Sequence, residues 1–214
     1  MTRLIWSNDE PTGLQPTTNQ SPSGEQNYQD PPGLGRRALR AGDRAPRFRL
    51  PDQHGRLVML SALLAKGAVV LRFCRHDGTS SCFRELDALV AVHVDIEQRG
   101  ATLAVIAAQP LHPHPADKDP AAYAFSLLID KGAKVARSYG LTYRLPPIGR
   151  SPATAADRNK SLKQRGGNGS APATYVVDQE CVVALAFVDL EGRSRMEPDQ
   201  IVMALECLSK TKRT

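Results

Sequence analysis

Cysteine is scarce in this chain. The four residues Cys74, Cys82, Cys181 and Cys207 in 214 are too few for the disulfide framework of a secreted domain, so a reducing, cytoplasmic setting is expected. Metal-type spacing is missing as well. Cys74 and Cys82, the nearest pair, stand eight apart with His76 between them and no Cys-x2-Cys occurs, so neither a metal nor a cofactor is expected. Long apolar runs are also absent, and no stretch approaches the roughly 20 residues that a bilayer helix needs. The opening Met1-Thr2-Arg3-Leu4-Ile5-Trp6-Ser7 has three apolar residues in a row, short of the about 7–15 of a secretory signal. Neither a membrane nor export is expected. Aromatics make up 5% of the chain, with Trp6 the single tryptophan, so basic surface interleaved with aromatics cannot be extensive.

The remaining composition is that of a globular protein, with 41% hydrophobic and 23% charged residues and a net charge of +6. That excess sits in two places. Residues 149–170 carry Arg150, Arg158, Lys160, Lys163 and Arg165 against Asp157, and the tail 210–214 carries Lys210, Lys212 and Arg213. The rest is nearly neutral. Without a nucleic-acid motif these segments read as solvated basic loops, and a nucleic-acid partner is not expected.

Residues 1–40 are rich in Pro, Gln, Asn, Ser, Thr and Gly, show neither helical nor alternating periodicity, and read as a disordered N-terminal arm. Order is expected from about Ala41. Arg47–Leu50, the turn Asp52-Gln53-His54-Gly55 and Arg56–Leu60 read as a hairpin, with Ser61 capping a short helix 62–66. The β-branched run Ala68–Cys74 reads as the central strand of a mainly parallel sheet, buried on both faces. After a loop 75–81, Cys82–Gln98 places Leu86, Leu89, Val90, His93, Val94 and Ile96 at helical spacing before Gly100. Thr102–Ala107 is a second buried strand, which makes a right-handed βαβ unit. Residues 110–120, with His112 and His114, read as a proline-broken loop. Ser126–Asp130 is a further strand, Ala133–Tyr139 a short helix, and 145–171 an irregular basic insertion. Ala173–Asp178 and Cys181–Val188 read as a hairpin, followed by a helix that starts at Pro198. The expected fold is α/β: one domain over 41–209, a central mixed sheet flanked by helices, with an N-terminal β-hairpin.

A cysteine at the start of a helix that follows a buried strand meets unpaired backbone N–H groups and the positive end of the helix dipole. Both lower a thiol pKa from about 8.5 and favour the nucleophilic thiolate. Cys82 has that place. Thr79, three residues earlier, is poised to direct its hydroxyl at the sulfur, and Glu85 can accept from first-turn N–H groups. From placement alone a reactive thiol and a half-buried small residue at a helix start are equally open.

The ordered segment resembles the peroxiredoxin branch of the thioredoxin-like superfamily, the AhpC/TSA (alkyl hydroperoxide reductase and thiol-specific antioxidant) group. Four stretches carry the likeness: Ala41–Phe48 with Leu50-Pro51-Asp52; Val69–Cys82 with Glu85-Leu86; Phe125–Gly140; and Pro172–Asp178 with Phe187-Val188-Asp189. Their order and spacing are specific. The family's Pro-x3-Thr-x2-Cys motif falls on Arg75-x3-Thr79-x2-Cys82, which implies Cys82 as peroxidatic cysteine and Thr79 as its hydroxyl partner. Two positions depart from the pattern: Arg75 stands for the motif proline, and Ala171-Pro172-Ala173 stands where the family's second arginine is usual. Arg75 is a candidate to replace that cation, and Pro172 resembles the cis-proline of thioredoxin-like folds.

The likeness implies a thiol peroxidase acting on hydrogen peroxide or an alkyl hydroperoxide through one cysteine. It further implies an external thiol reductant (thioredoxin, glutathione or similar) and a homodimer. A catalytically inactive thioredoxin-like binding module is the second reading, since both departures fall at the motif.

Overall fold

Every residue of the run Val69–Phe73 is buried, and this run forms the strand from which the rest of the molecule is built. A computed structural model describes residues 37–74, 80–109, 123–144, 168–189, 196 and 198–211. The N-terminal hairpin is β1 (Arg49–Pro51) paired antiparallel with β2 (Leu57–Met59). It leads into α1 (Leu60–Leu64), the buried strand β3 (Val69–Phe73), α2 (Ser80–Gln98) and β4 (Thr102–Ala107). Then follow β5 (Ser126–Ile129), α3 (Lys134–Ser138), β6 (Thr142–Arg144), β7 (Asn168–Ser170), β8 (Ala173–Val177), β9 (Val183–Val188) and α4 (Pro198–Thr211).

The main sheet has the order β5-β4-β3-β8-β9, so β3 is central as its sequence predicts. It pairs parallel with β4 and antiparallel with β8, opposing Phe73 to Ile106 and to Ala173. The parallel pair β3–β4 needs a crossover, and α2 supplies it. The helix therefore returns over the sheet, and its N-terminus stands at the carboxyl end of β3.

Alternation along the strands divides the core in two. Val69, Leu71, Phe73, Ile106, Tyr175 and Val177 face the side covered by the hairpin, α1 and α3. Val70, Cys74, Leu103, Val105, Leu127 and Val176 face α2 and α4, which cover them with Leu86, Leu89, Val92, Ile96, Ile201 and Leu205. Each fully buried Leu, Ile, Val or Phe contributes about 1.5–3 kcal/mol by leaving water.

Several local expectations need correction. Leu60 rather than Ala62 opens α1, directly after an extended Met59, so Ser61 lies inside the helix and no side chain caps it. Val90 and Val94 are 48% and 57% exposed. The contact face of α2 instead runs through Leu86, Leu89, His93 and Ile96 with Val92 at its border, because Val90 is turned about a quarter-turn and Val94 about a third of a turn off that line. The insertion is regular at its end: Asn168–Ser170 pairs with Thr142–Arg144. Packing begins before Ala41, with Ala38 buried and Leu39 N–H donated to Tyr139 O at 3.2 Å. No described peptide bond is cis, including the one before Pro172. Ala171 N–H is donated to Leu141 O and Asp189 N–H to Pro172 O, both at 2.9 Å, so the chain runs extended from β7 into β8.

Candidate active site

Short connections fix where Cys82 lies. The buried strand β3 ends at Phe73, and α2 begins at Ser80. Helix formation thus starts two residues earlier than the sequence suggests, and Cys82 is the third helical residue instead of the first. Its backbone N–H still belongs to the first turn, whose N–H groups have no partner within the helix. Position 82 is four residues before Leu86 and seven before Leu89, which puts it on the helical row that meets the sheet. Glu85 is the sixth helical residue, beyond a first turn that holds no acidic residue, so the earlier helix start takes it out of the capping-box position that the sequence suggests. Arg75 and Thr79 lie outside the described residues.

The other three thiols are far apart in the fold. Cys74 is 3% exposed and packs with Leu86 on the α2 side of the sheet, so it lies beneath the helix. Cys181 stands in the β8–β9 turn, next to the pairing of Val177 with Val69 at the amino end of β3. That is a strand length, roughly 15 Å, from the carboxyl end where α2 starts. Its φ of 65° is the left-handed conformation that the hairpin turn demands, usually of glycine, and its Sγ donates to Ala45 O at 3.3 Å. Cys207 is exposed on α4, adjacent to Glu206, which accepts from Arg99 at 2.7 Å. Arg99 follows the last turn of α2, 17 residues beyond Cys82, or roughly 25 Å along the axis. Two cysteines form a disulfide only with Cα atoms within about 7 Å.

One residue of this region carries a signal that the sequence reading passed over. Arg72 is 5% exposed although it belongs to the central strand. It alternates with Leu71 and Phe73 and shares the face of Val70 and Cys74, so its side chain is under α2. Its Nη1 donates to Thr174 Oγ1 at 2.9 Å, across to the register partner on β8. A charged letter within the otherwise apolar seven-residue run Ala68–Cys74 was the available sign.

The AhpC/TSA family model matches residues 41–186. The chain belongs to the AhpC/TSA family. Membership gives its class, a peroxiredoxin-type thiol peroxidase among the oxidoreductases of the thioredoxin-like superfamily, with a peroxide as substrate and a thiol as reductant. It is 26% identical over 150 residues to a Coxiella burnetii protein named as peroxiredoxin bcp, covering 70% of this chain and 89% of that one. Its fold is similar to Mycobacterium tuberculosis peroxidoxin BcpB, with TM-score 0.57 and 22% identity over 78% of this chain and 96% of the other. It is similar also to Xanthomonas campestris peroxiredoxin Q, with TM-score 0.55 and 19% identity over 75% and 90%. Both structural likenesses are of fold. No described helix of this AhpC/TSA chain is long and apolar enough to cross a membrane.

Proposed function

We propose that this chain reduces hydrogen peroxide or an alkyl hydroperoxide with Cys82 as its one reacting cysteine and an external thiol as reductant. The observation that carries this reading is the separation of thiols. Cys181 and Cys207 lie at the far ends of β3 and α2 from position 82, and Cys74, which is near, is buried.

In the first step the Cys82 thiolate attacks the terminal peroxide oxygen. The S–O bond forms as the O–O bond breaks, the leaving alkoxide or hydroxide takes a proton, and sulfur becomes a sulfenic acid. Thr79 orients the incoming oxygen and stabilises the thiolate. First-turn N–H groups of α2 stabilise charge as it develops. Arg75, in place of the motif proline, adds positive charge outside the helix start. An external thiol such as thioredoxin or glutathione then condenses with the sulfenic acid, releasing water, and a second thiol cleaves the mixed disulfide. The reducing cytoplasm suits this cycle. Family likeness supports a homodimer, which sedimentation would test.

The experiment mixes reduced protein with a slight excess of hydrogen peroxide and follows peroxide loss beside a sulfenic-acid trap, with Cys82→Ser as control. Rapid loss and trapping that vanish in Cys82→Ser support the reading. Wild type no faster than a free thiol would overturn it and leave a thioredoxin-like binding module.

A further inference from the structure

Three segments meet at the amino end of the central strand and enclose a cleft of about 270 Å3. They are residues 44–47, residues 61–65 of α1 and its end, and the β8–β9 turn at 179–181. Hydrogen bonds tie each wall to the next. Ala45 N–H donates to Cys181 O at 2.9 Å and Cys181 Sγ to Ala45 O at 3.3 Å, which joins the first wall to the third. Gln179 Nε2 donates to Leu64 O at 3.4 Å, and Leu60 N–H to Phe48 O at 3.2 Å, which joins α1 to both of the others. The cleft is therefore formed before a ligand arrives, as small-molecule sites mostly are.

The lining is sorted by charge. Arg44 and Arg47 stand on one wall and Glu180 on another, with Leu64 and Ala65 as the apolar part. All three charged residues are exposed, and among the described residues none of their side chains has an ion-pair partner. Concave walls concentrate the field of such charges. Two guanidiniums suit two carboxylates, whose planar geometry their forks match. Glu180 repels a multiply charged phosphate and attracts an ammonium group. The volume falls just below the about 300–1,000 Å3 of drug-sized sites, and no aromatic among the described residues lines the cleft to stack on a base, so a nucleotide is disfavoured.

We propose that this cleft binds a small zwitterion with two carboxylates and one ammonium group, an acidic amino acid or a dipeptide that contains one. Arg44 and Arg47 take the carboxylates, Glu180 takes the ammonium, and the methylenes of the ligand lie against Leu64 and Ala65. The carboxyl end of β3, where α2 starts, is a strand length of roughly 15 Å away. The inference is thus independent of the chemistry read for Cys82, and its test uses no peroxide.

Isothermal titration calorimetry of the full chain with glutamylglycine, which has this charge set, reads binding directly. Glutaminylglycine lacks one carboxylate and N-acetylglutamylglycine lacks the ammonium, and each is expected to bind about tenfold more weakly, the effect of one charge-assisted hydrogen bond. Free glutamate separates the two sources: binding as tight as that of the dipeptide assigns the amino acid, and weaker binding assigns the dipeptide. The double variant Arg44→Gln, Arg47→Gln should lose binding. Glu180→Gln should weaken glutamylglycine about tenfold while N-acetylglutamylglycine binds no worse than to wild type, a crossed result that a change of fold would not produce. Alkylation of Cys181 by iodoacetamide, read by peptide mass spectrometry, should slow when glutamylglycine is bound, which places the ligand in the cleft. Neither heat nor protection at about 10 mM, ten times a millimolar Kd, overturns the proposal. So does binding that survives in the double arginine variant, and so does inorganic phosphate that binds as tightly as glutamylglycine.

Discussion

Gln53 closes the edge of the main sheet by bonding to the backbone of Leu127. Its Oε1 accepts from Leu127 N–H at 2.8 Å and its Nε2 donates to Phe125 O at 3.1 Å, so one side chain occupies the groups that a sixth strand would pair. The opposite edge is treated differently: Gly42 N–H donates to Val183 O and Val183 N–H to Asp43 O, both at 2.8 Å, which covers the start of β9 with backbone. An open strand edge invites pairing with another chain. Gln53→Ala should therefore lower stability by about 1–3 kcal/mol through two lost hydrogen bonds and increase self-association. Urea melts and sedimentation check the two effects. Unchanged association would show that the β5 edge needs no cover.

Gly140 ends α3 with φ of 73°, and a Cβ there would meet the carbonyl of Arg37. The close approach and the conformation have one cause: segment 37–39 is packed against the end of α3, where Leu39 N–H is donated to Tyr139 O. Gly140→Ala should cost about 1–3 kcal/mol from the left-handed backbone and more from the displaced segment. Thermal melts measure the loss. Protease cleavage near residue 37 should accelerate, because Ala38 loses its seat in the core.

The sequence makes the central strands legible because β3, β4 and β8 are short apolar runs that bury both faces, a pattern that few other structures produce. Cys181 reads in the sequence as the start of a strand, whereas it closes the hairpin turn with a positive φ and the strand begins at Val183. Pairing of Tyr143 with Gly169 was hidden, because Asn168-Gly169-Ser170 has loop composition and its partner is distant in sequence. Val90 and Val94 misled because an apolar residue marks a helix without stating which face is covered. In the candidate site, Cys82 was visible from its place after β3 and from the motif around it. Arg72 was not, since one charge within an apolar strand is averaged away until the fold shows which layer it enters.

Asp52 couples the N-terminal hairpin to acidity. Burial alone pushes its carboxyl up, but it accepts from Arg56 N–H at 2.8 Å and His54 N–H at 2.9 Å, with Arg56 Nε at 2.9 Å, and these bonds to the charged form hold it below the ordinary range. The ion pair itself contributes little because Arg56 is largely exposed. With the folded pKa depressed, this stabilisation is complete above the unfolded value of about 3.9 and is lost as pH falls through the folded value. Asp52→Asn should thus be less stable than wild type by about 1–2 kcal/mol at neutral pH. The gap should persist to about pH 5 and narrow below the unfolded pKa of about 3.9. Melting temperatures across that range test it, and a gap independent of pH would assign the effect to the amide's packing.

The one-cysteine cycle makes a demand on the three other thiols. If none of them resolves the oxidised sulfur, the variant Cys74→Ala, Cys181→Gly, Cys207→Ser should turn over peroxide with an external thiol at a rate within about twofold of wild type, a free-energy difference of roughly 0.4 kcal/mol. Each substitution follows its site. Glycine relieves the φ of 65° at position 181, serine suits exposed position 207, and alanine avoids burying a hydroxyl at position 74. The Cys74 change leaves a small cavity and should cost about 1–2 kcal/mol of stability without affecting turnover. Loss of turnover that Cys74→Ala alone reproduces would identify the buried neighbour as a resolving thiol. Because Cys74 lies beneath α2 with Leu86, its pairing with Cys82 would require the first turns of the helix to open. Hydrogen exchange of Leu86 on peroxide treatment would then rise sharply in wild type and remain low in the variant.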